Sequence, residues 1–390
     1  TYNVILDNMD LFEYRLRPIC AITYLQDAFA RYTATKRMAA YDLFATNQYW
    51  IVSEFNIDFI EELPFWSEEI EINIWISEIM LQQTRVEAVK GYYGRFLEIL
   101  PDVSALAAVE DDILMKLWQG LGYYNRARNL KKAAVYIEEQ YQGRFPEEYE
   151  EILKLPGIGT YTAGAIASIA FGKRVPAVDG NVYRIYSRLE KNEEDITKAK
   201  VQKKIREAVL EMFPKENAGD FNQALMDLGA NICLPNGMPL CNRCPIAEHC
   251  MAAKEGNPLE YPYKPPKKKR KIEEKTVFVL KYQDMYFLRK RLEEGLLAGL
   301  WEFPTQEGKL SFEEAKGLLE SWGGKVEELG LLGKAKHIFT HIEWRMIGYM
   351  VHFHELTPQM EEGFILVTKE ELREKYSIPS AYAAYLKQVL

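Results

Sequence analysis

The sequence predicts a multidomain, mainly α protein whose final part is α/β, and three observations carry that prediction. From about residue 77 to residue 230 apolar residues recur at helical spacing, punctuated by Gly and Pro in GLGYY, LPGIG and VPAVDGN. The stretch YPYKPPKKKRKIEEK then breaks the pattern with proline and lysine and reads as a solvated linker. Beyond it TVFVLKYQDMYFLRKR opens a hairpin-like pattern at residue 276, followed by further strands and a helix at FEEAKGLLESW.

The N-terminal part reads differently. Residues 21–43 suit an amphipathic helix, and in QYWIVSEFNIDFIEEL and EIEINIWIS the apolar positions alternate, most cleanly Ile70, Ile72, Ile74 and Ile76. Strands are expected there, with a switch to helix near Trp75–Ser77.

With 390 residues, 48% hydrophobic and 27% charged, the chain has room for two or three domains with cores of their own. No apolar run reaches membrane-spanning length and no secretory signal opens the chain, so a cytoplasmic protein is expected. The net charge of −8 is unevenly placed: residues 1–75 sum to −7, residues 76–270 to +2 and residues 271–390 to −3. An acidic total therefore does not exclude a nucleic-acid partner for the middle segment.

Four of the five cysteines, Cys233, Cys241, Cys244 and Cys250, follow the spacing C-x7-C-x2-C-x5-C. Such a set in a reducing compartment holds a metal, either zinc or an iron–sulfur cubane. Zinc sites favour two separated CxxC or CxxH knuckles and only one such pair occurs here, so the cubane is preferred, with His249 as a bystander. Cys20 reads as a buried apolar thiol. In LPGIGTYTAGA, residues 155–165, two glycines strip side chains from a turn before a helix, which suits either backbone N–H donation to a phosphate or an ordinary interhelical turn.

In their order WISEIMLQQTRVEAV, GLGYYNRARNL, LPGIGTYTAGAIASIAFG, PAVDGNVYRIYSRL, FNQALMDLGANIC, the four-cysteine loop, GLLAGLWEFP and HIFTHIEW, residues 75–390 resemble the MutY-type adenine DNA glycosylases. These are helix-hairpin-helix enzymes with an iron–sulfur loop and a Nudix-like last domain. The resemblance implies that Gly157 and Gly159 anchor DNA phosphates, contacts that position without reading sequence. It places Gln82, Gln83 and Thr84 at the gap left by an extruded nucleotide, with Leu121 and Tyr123 on the minor-groove side.

Cleaving an N-glycosidic bond needs an acid for the leaving purine and an anion beside the oxocarbenium-like sugar. Glu78 and Asp179 match the family's two carboxylates, Glu78 protonating adenine with its pKa raised by burial and Asp179 staying ionised. Asn181 is expected to orient the sugar and Asp179, and Gln223 to read the adenine edge. Tyr161 stands where strand-nicking relatives carry a Schiff-base lysine, which implies hydrolysis without an efficient lyase step. In the last domain Phe339, Thr340 and His341 match the loop that grips 8-oxoguanine, and FEEAKGLLESWGG lacks the Glu-rich pattern of a working Nudix hydrolase.

Residues 11–75 resemble instead the first half of an acyl-carrier-protein thioesterase of the hot-dog fold, without its catalytic half. The expected organisation is thus a partial hot-dog α+β segment (1–75), a helix-hairpin-helix glycosylase domain (76–252) with one [4Fe–4S] cluster on loop 233–250, a Pro/Lys linker (253–275) and a Nudix-like lesion-recognition domain (276–390). The expected function is monofunctional excision of adenine paired with 8-oxoguanine, by a nucleoid-associated protein with no membrane partner that is monomeric unless its N-terminal segment associates. A catalytically impaired lesion-binding protein is the alternative, because the segment before Ile76 replaces part of the family's base pocket.

Overall fold

The computed structural model describes residues 70–266, 269–355 and 363–390. They form two compact units, one from residues 70–108 and 129–266, the other from 109–128 and 267–390. The helix expected at 21–43 and the hot-dog strands before residue 70 lie outside the described residues.

The first unit is helical: α1 (Ile70–Leu81), α2 (Val86–Ile99), α3 (Asn125–Tyr141), α4 (Thr160–Ile169), α5 (Gly180–Glu190), α6 (Ala199–Met212) and α7 (Ala218–Asn231). The first turn of α3 belongs to the other unit. Helix α1 overturns the strand expected at Ile70–Ile76 and the switch near Trp75. Ile72, Ile74, Trp75, Ile76, Ser77, Glu78, Ile79 and Met80 are all buried, so this helix is covered nearly all round. A helix buried on every side has no polar face to impose a period of 3.6, and alternating isoleucines then mimic a strand.

Helix α5 shows how local sequence sets a boundary. The Asp179 side chain accepts from the Asn181 and Val182 backbone N–H groups at the N-cap, and Lys191 ends the helix in the left-handed conformation at φ 51°. Its apolar face, Val182, Ile185 and Leu189, joins Ile205 and Val209 of α6 and Phe221 and Leu225 of α7 in one core. Phe213 meets Phe221 edge-on there at 4.6 Å between centroids.

The second unit is a mixed sheet of β1 (Lys271–Tyr282), β2 (Met285–Lys290), β3 (Trp301–Glu302), β4 (Thr305–Glu307), β5 (Lys325–Ile338), β6 (Ile342–Glu355) and β7 (Ile365–Thr368), with helix α8 (Phe312–Ser321). Its order is β3-β2-β1-β6-β5, with β4 on β1 and β7 on β2. Strand β1 runs parallel to β6 and antiparallel to β2, the hairpin expected of TVFVLKYQDMYFLRKR. Both faces of β1 are covered: Val277 and Val279 pack with Tyr382 and Tyr385, and Phe278 and Leu280 with Ala315 and Leu319 of α8. A capping box between Ser311 and Glu314 starts α8.

Two boundaries differ from the sequence reading. Strand β1 begins at Lys271, inside the stretch read as linker. Residues 109–128, including the short helix Asp111–Leu117 and the GLGYY loop, group with the C-terminal strands and interrupt the expected domain 76–252. Among the described residues no helix is long and apolar enough to cross a membrane.

Candidate active site

Within the first unit three helices bring the expected catalytic residues together. Glu78 on α1 is 1% exposed and shares a hydrogen bond with the Tyr161 hydroxyl at the start of α4. Tyr161 lies in the field of both Glu78 and Asp179, and its hydroxyl also meets Met226 Sδ on α7 at 3.7 Å. Its ring is partly accessible while its hydroxyl is deep. Burial first, then the two carboxylates, push the phenol well above its ordinary value, so it stays a neutral O–H donor.

Asp179 is held by its neighbours. Oδ1 accepts from Asn181 N at 2.8 Å and Val182 N at 2.9 Å, and Oδ2 from Asn181 Nδ2 at 2.9 Å. Burial nevertheless raises its pKa, against the lowering pull of those donors and of Arg184. Arg184 supports this corner: Nη2 donates to Asn181 Oδ1 at 2.9 Å and to Gly229 O at 2.8 Å, while Nε donates to Cys233 O at 2.8 Å. Gly229 has to be glycine for this approach, since a Cβ there would stand 2.6 Å from Asn181 Cβ. Sequence reasoning passed over Arg184, Met226 and Thr162. The i, i+3 step from Asn181 to Arg184 within NVYR was the one available signal.

The flanking residues divide by exposure. Gln82 Nε2 donates to the Thr162 hydroxyl at 3.2 Å, Thr84 Oγ1 donates to Gln82 O, and Gln83 between them is exposed at φ 57° on the α1–α2 turn. The same left-handed backbone recurs at Tyr123, Gln142, Lys191, Asn217, Gln283 and Leu297. Gln223 on α7 is 9% exposed, with Nε2 donating to Gly219 O at 3.4 Å. In LPGIG, Leu155 and Ile158 point inward while Gly157 and Gly159 are exposed, and α4 begins at Gly159 with no side-chain cap. A helix start with no side-chain cap leaves backbone N–H groups available to an outside acceptor. Gly157 requires its φ of 78° and the absence of a side chain, because a Cβ would fall 2.5 Å from Asn129 Cβ.

The four loop cysteines, none of them in a disulfide, line one cavity together with Arg188, Ile246 and Pro258. Arg188 Nη1 donates to Cys233 Sγ at 3.2 Å, and Cys250 Sγ lies 3.3 Å from Arg188 O. Among the described residues no three His, Cys, Asp or Glu side chains are placed to hold a single metal ion. Four cysteine sulfurs lining one cavity are a donor set that fits a bound metal or metal–sulfur group.

The other expected residues lie in the second unit. Leu121 is 6% exposed, so it is packed rather than presented, whereas Tyr123 is 51% exposed at φ 48°. Arg126 stacks over the rings of Trp118 and Tyr123 and donates to Leu121 O and Gly122 O. Phe339, Thr340 and His341 form the β5–β6 turn. Phe339 packs edge-on against Trp344 at 4.9 Å, leaving Thr340 and His341 exposed.

Comparison with known proteins extends this geometry. Residues 76–211 match the family model described as HhH-GPD superfamily base excision DNA repair protein, and residues 276–388 match that of the NUDIX domain. The fold and site therefore define a base-excision-repair DNA glycosylase with a helix-hairpin-helix module followed by an α/β Nudix-like module. The chain is 38% identical to an adenine DNA glycosylase of Buchnera aphidicola from Schizaphis graminum, over 67% of this chain and 75% of that one. It is 34% identical to one from Schizosaccharomyces pombe, over 72% of each. A thermostable thymine-DNA glycosylase structure aligns with 62% of this chain and 98% of its own at TM-score 0.46 and 24% identity. The chain belongs to the adenine DNA glycosylase family.

Proposed function

We propose that this chain hydrolyses the N-glycosidic bond of adenine paired with 8-oxoguanine in duplex DNA and leaves the strand unnicked. The observation that carries the reading is the phenol, rather than an amine, of Tyr161 set beside Glu78 and Asp179. A carboxyl 1% exposed and oriented by a neutral O–H is placed to pass a proton to a departing purine. Asp179, fixed by two backbone N–H groups and Asn181, stabilises positive charge on the sugar when ionised. No side-chain amine takes part, so no Schiff base forms and water completes the reaction. Gln223 reads the adenine edge, Gln82, Gln83, Thr84 and Tyr123 fill the disturbed duplex, and Gly157 and Gly159 hold a phosphate.

Cys233, Cys241, Cys244 and Cys250 would hold one [4Fe–4S] cluster. When bound, that group supplies a rigid cross-link to the loop and takes no part in bond cleavage. Phe339, Thr340 and His341 grip the oxidised guanine, and the enzyme works where its substrate is, on the cytoplasmic chromosome.

Formation of α1 up to and beyond Glu78 favours catalysis over lesion binding alone. The test is single-turnover release of adenine from a short duplex with adenine opposite 8-oxoguanine, beside Glu78→Gln. Glu78-dependent release is expected; tight binding without release would leave a lesion-binding protein in place of an enzyme.

A further inference from the structure

The GLGYY loop is built onto the C-terminal module. Four side chains of residues 109–128 reach residues 298–378 within the second unit. Lys116 Nζ donates to Tyr376 O at 3.1 Å, and Gln119 Nε2 to Ile378 O at 3.1 Å. Asp112 Oδ1 accepts from Trp301 Nε1 at 3.1 Å, and Arg128 donates to Ala298 O. Trp301 is itself edge-on to Tyr376 at 5.1 Å, so both ends of this seam share one aromatic corner. Leu114, Met115 and Trp118 are buried, at 0%, 5% and 0% exposure, on the same segment. Beyond Gln119 the loop is braced by Trp118 Nε1 donating to Gly122 O at 3.1 Å, which fixes the backbone directly before Tyr123.

We infer that Lys116 and Gln119 are positioning residues through which the module bearing Phe339, Thr340 and His341 sets the placement of Tyr123 in the duplex. The inference rests on the proposed entry of Tyr123 into DNA. Its physical content is that the side chains expected to sense 8-oxoguanine and the ring expected to wedge the helix share one folded unit, so gripping the lesion commits the wedge. A tether made of two donors to backbone carbonyls transmits position without touching substrate.

The test uses the full chain and duplexes carrying 2-aminopurine beside the adenine, whose fluorescence rises on unstacking. The variants are Tyr123→Ala, the double variant Lys116→Met with Gln119→Met, and Lys116→Arg, which keeps a donor. Single-turnover rates are compared for adenine opposite 8-oxoguanine and opposite guanine. Loss of the tether is expected to reduce the unstacking signal and to lower the 8-oxoguanine-to-guanine rate ratio about tenfold, the scale of two hydrogen bonds, while Lys116→Arg retains most of both. An unchanged ratio in the double variant, with Tyr123→Ala abolishing the signal, would overturn the inference and leave the wedge reading intact. A signal indifferent to Tyr123→Ala would remove the wedge reading and the inference with it. Equal loss on both duplexes together with a lowered Tm would make the seam a purely structural one and likewise overturn the inference.

Discussion

Arg184 donates to Asn181 Oδ1 at 2.9 Å, and Asn181 donates in turn to Asp179 Oδ2 at 2.9 Å. The same guanidinium holds the carbonyl of Cys233, so one side chain 6% exposed ties the Asp179–Asn181 corner to the first cysteine of the loop. Arg184→Met strands the buried carbonyls of Gly229 and Cys233 and frees Asn181 to rotate. Charged hydrogen bonds contribute about 1.5–3 kcal/mol each, and the expected fall in Tm is on the order of 8 °C. Scanning calorimetry measures it, and single-turnover excision is expected to fall alongside.

Asp179→Asn separates function from stability. Burial raises the folded-state pKa of Asp179, so the stabilisation its protonated form contributes is fully present below the unfolded value of about 3.9 and is lost as pH rises through the folded value. At neutral pH the ionised group carries a desolvation cost; asparagine keeps an acceptor for the α5 N-cap but sets its own amide N–H against the Asn181 Nδ2 that donated to Oδ2. The variant should lose excision by about 10²-fold or more. The lost Asn181 bond and the removed desolvation cost oppose one another in Tm at pH 7, and the Tm of the variant relative to the wild type should fall as the pH drops toward 4, where protonated Asp179 regains its stability; a relative Tm that rises toward pH 4 would refute this.

On the proposed function, Tyr161 keeps the chemistry after base loss to hydrolysis. The wild type should give no borohydride-trapped protein–DNA complex, whereas Tyr161→Lys should give one, read as a shifted band on a denaturing gel. Tyr161→Phe removes the hydroxyl that shares a hydrogen bond with Glu78 and should slow excision about tenfold without creating a trap.

Gly157→Ala places a Cβ where Asn129 already stands and demands φ 78° of an alanine. A destabilisation of about 1–3 kcal/mol is expected from the strain alone. Binding should weaken by a similar factor on matched and mismatched duplexes, because a phosphate anchor carries no sequence information; fluorescence anisotropy titrations on both would check it.

Cys244→Ser should lower the iron content from about four per chain and weaken excision through the loop that Arg184 and Arg188 grip. Iron analysis beside circular dichroism distinguishes loss of the group from loss of the fold.

The candidate residues were legible where a motif is local: the cysteine spacing, the bare glycines of LPGIG and the tyrosine after GT each lie within a few residues of the element they shape, whereas the N-cap role of Asp179 emerged only from the structure. The helix at Ile70–Leu81 was not, since a period in sequence reports one-sided burial and this helix is buried almost all round. Leu121 was expected beside the duplex, yet it is packed within its own unit, and no pattern in GLGYY tells an inward leucine from a presented one.

The sequence by itself determined the order of the modules, the residue types that chemistry needs and the turns that present them. Only the tertiary structure decided which helices bring Glu78, Tyr161 and Asp179 together, that Arg184 links Asn181 to Cys233, and that residues 109–128 fold with the C-terminal sheet. The reason is range: capping, turn geometry and ligand spacing are settled by neighbours in sequence. Contacts such as Lys116 with Tyr376, 260 positions apart, depend on which buried surfaces meet.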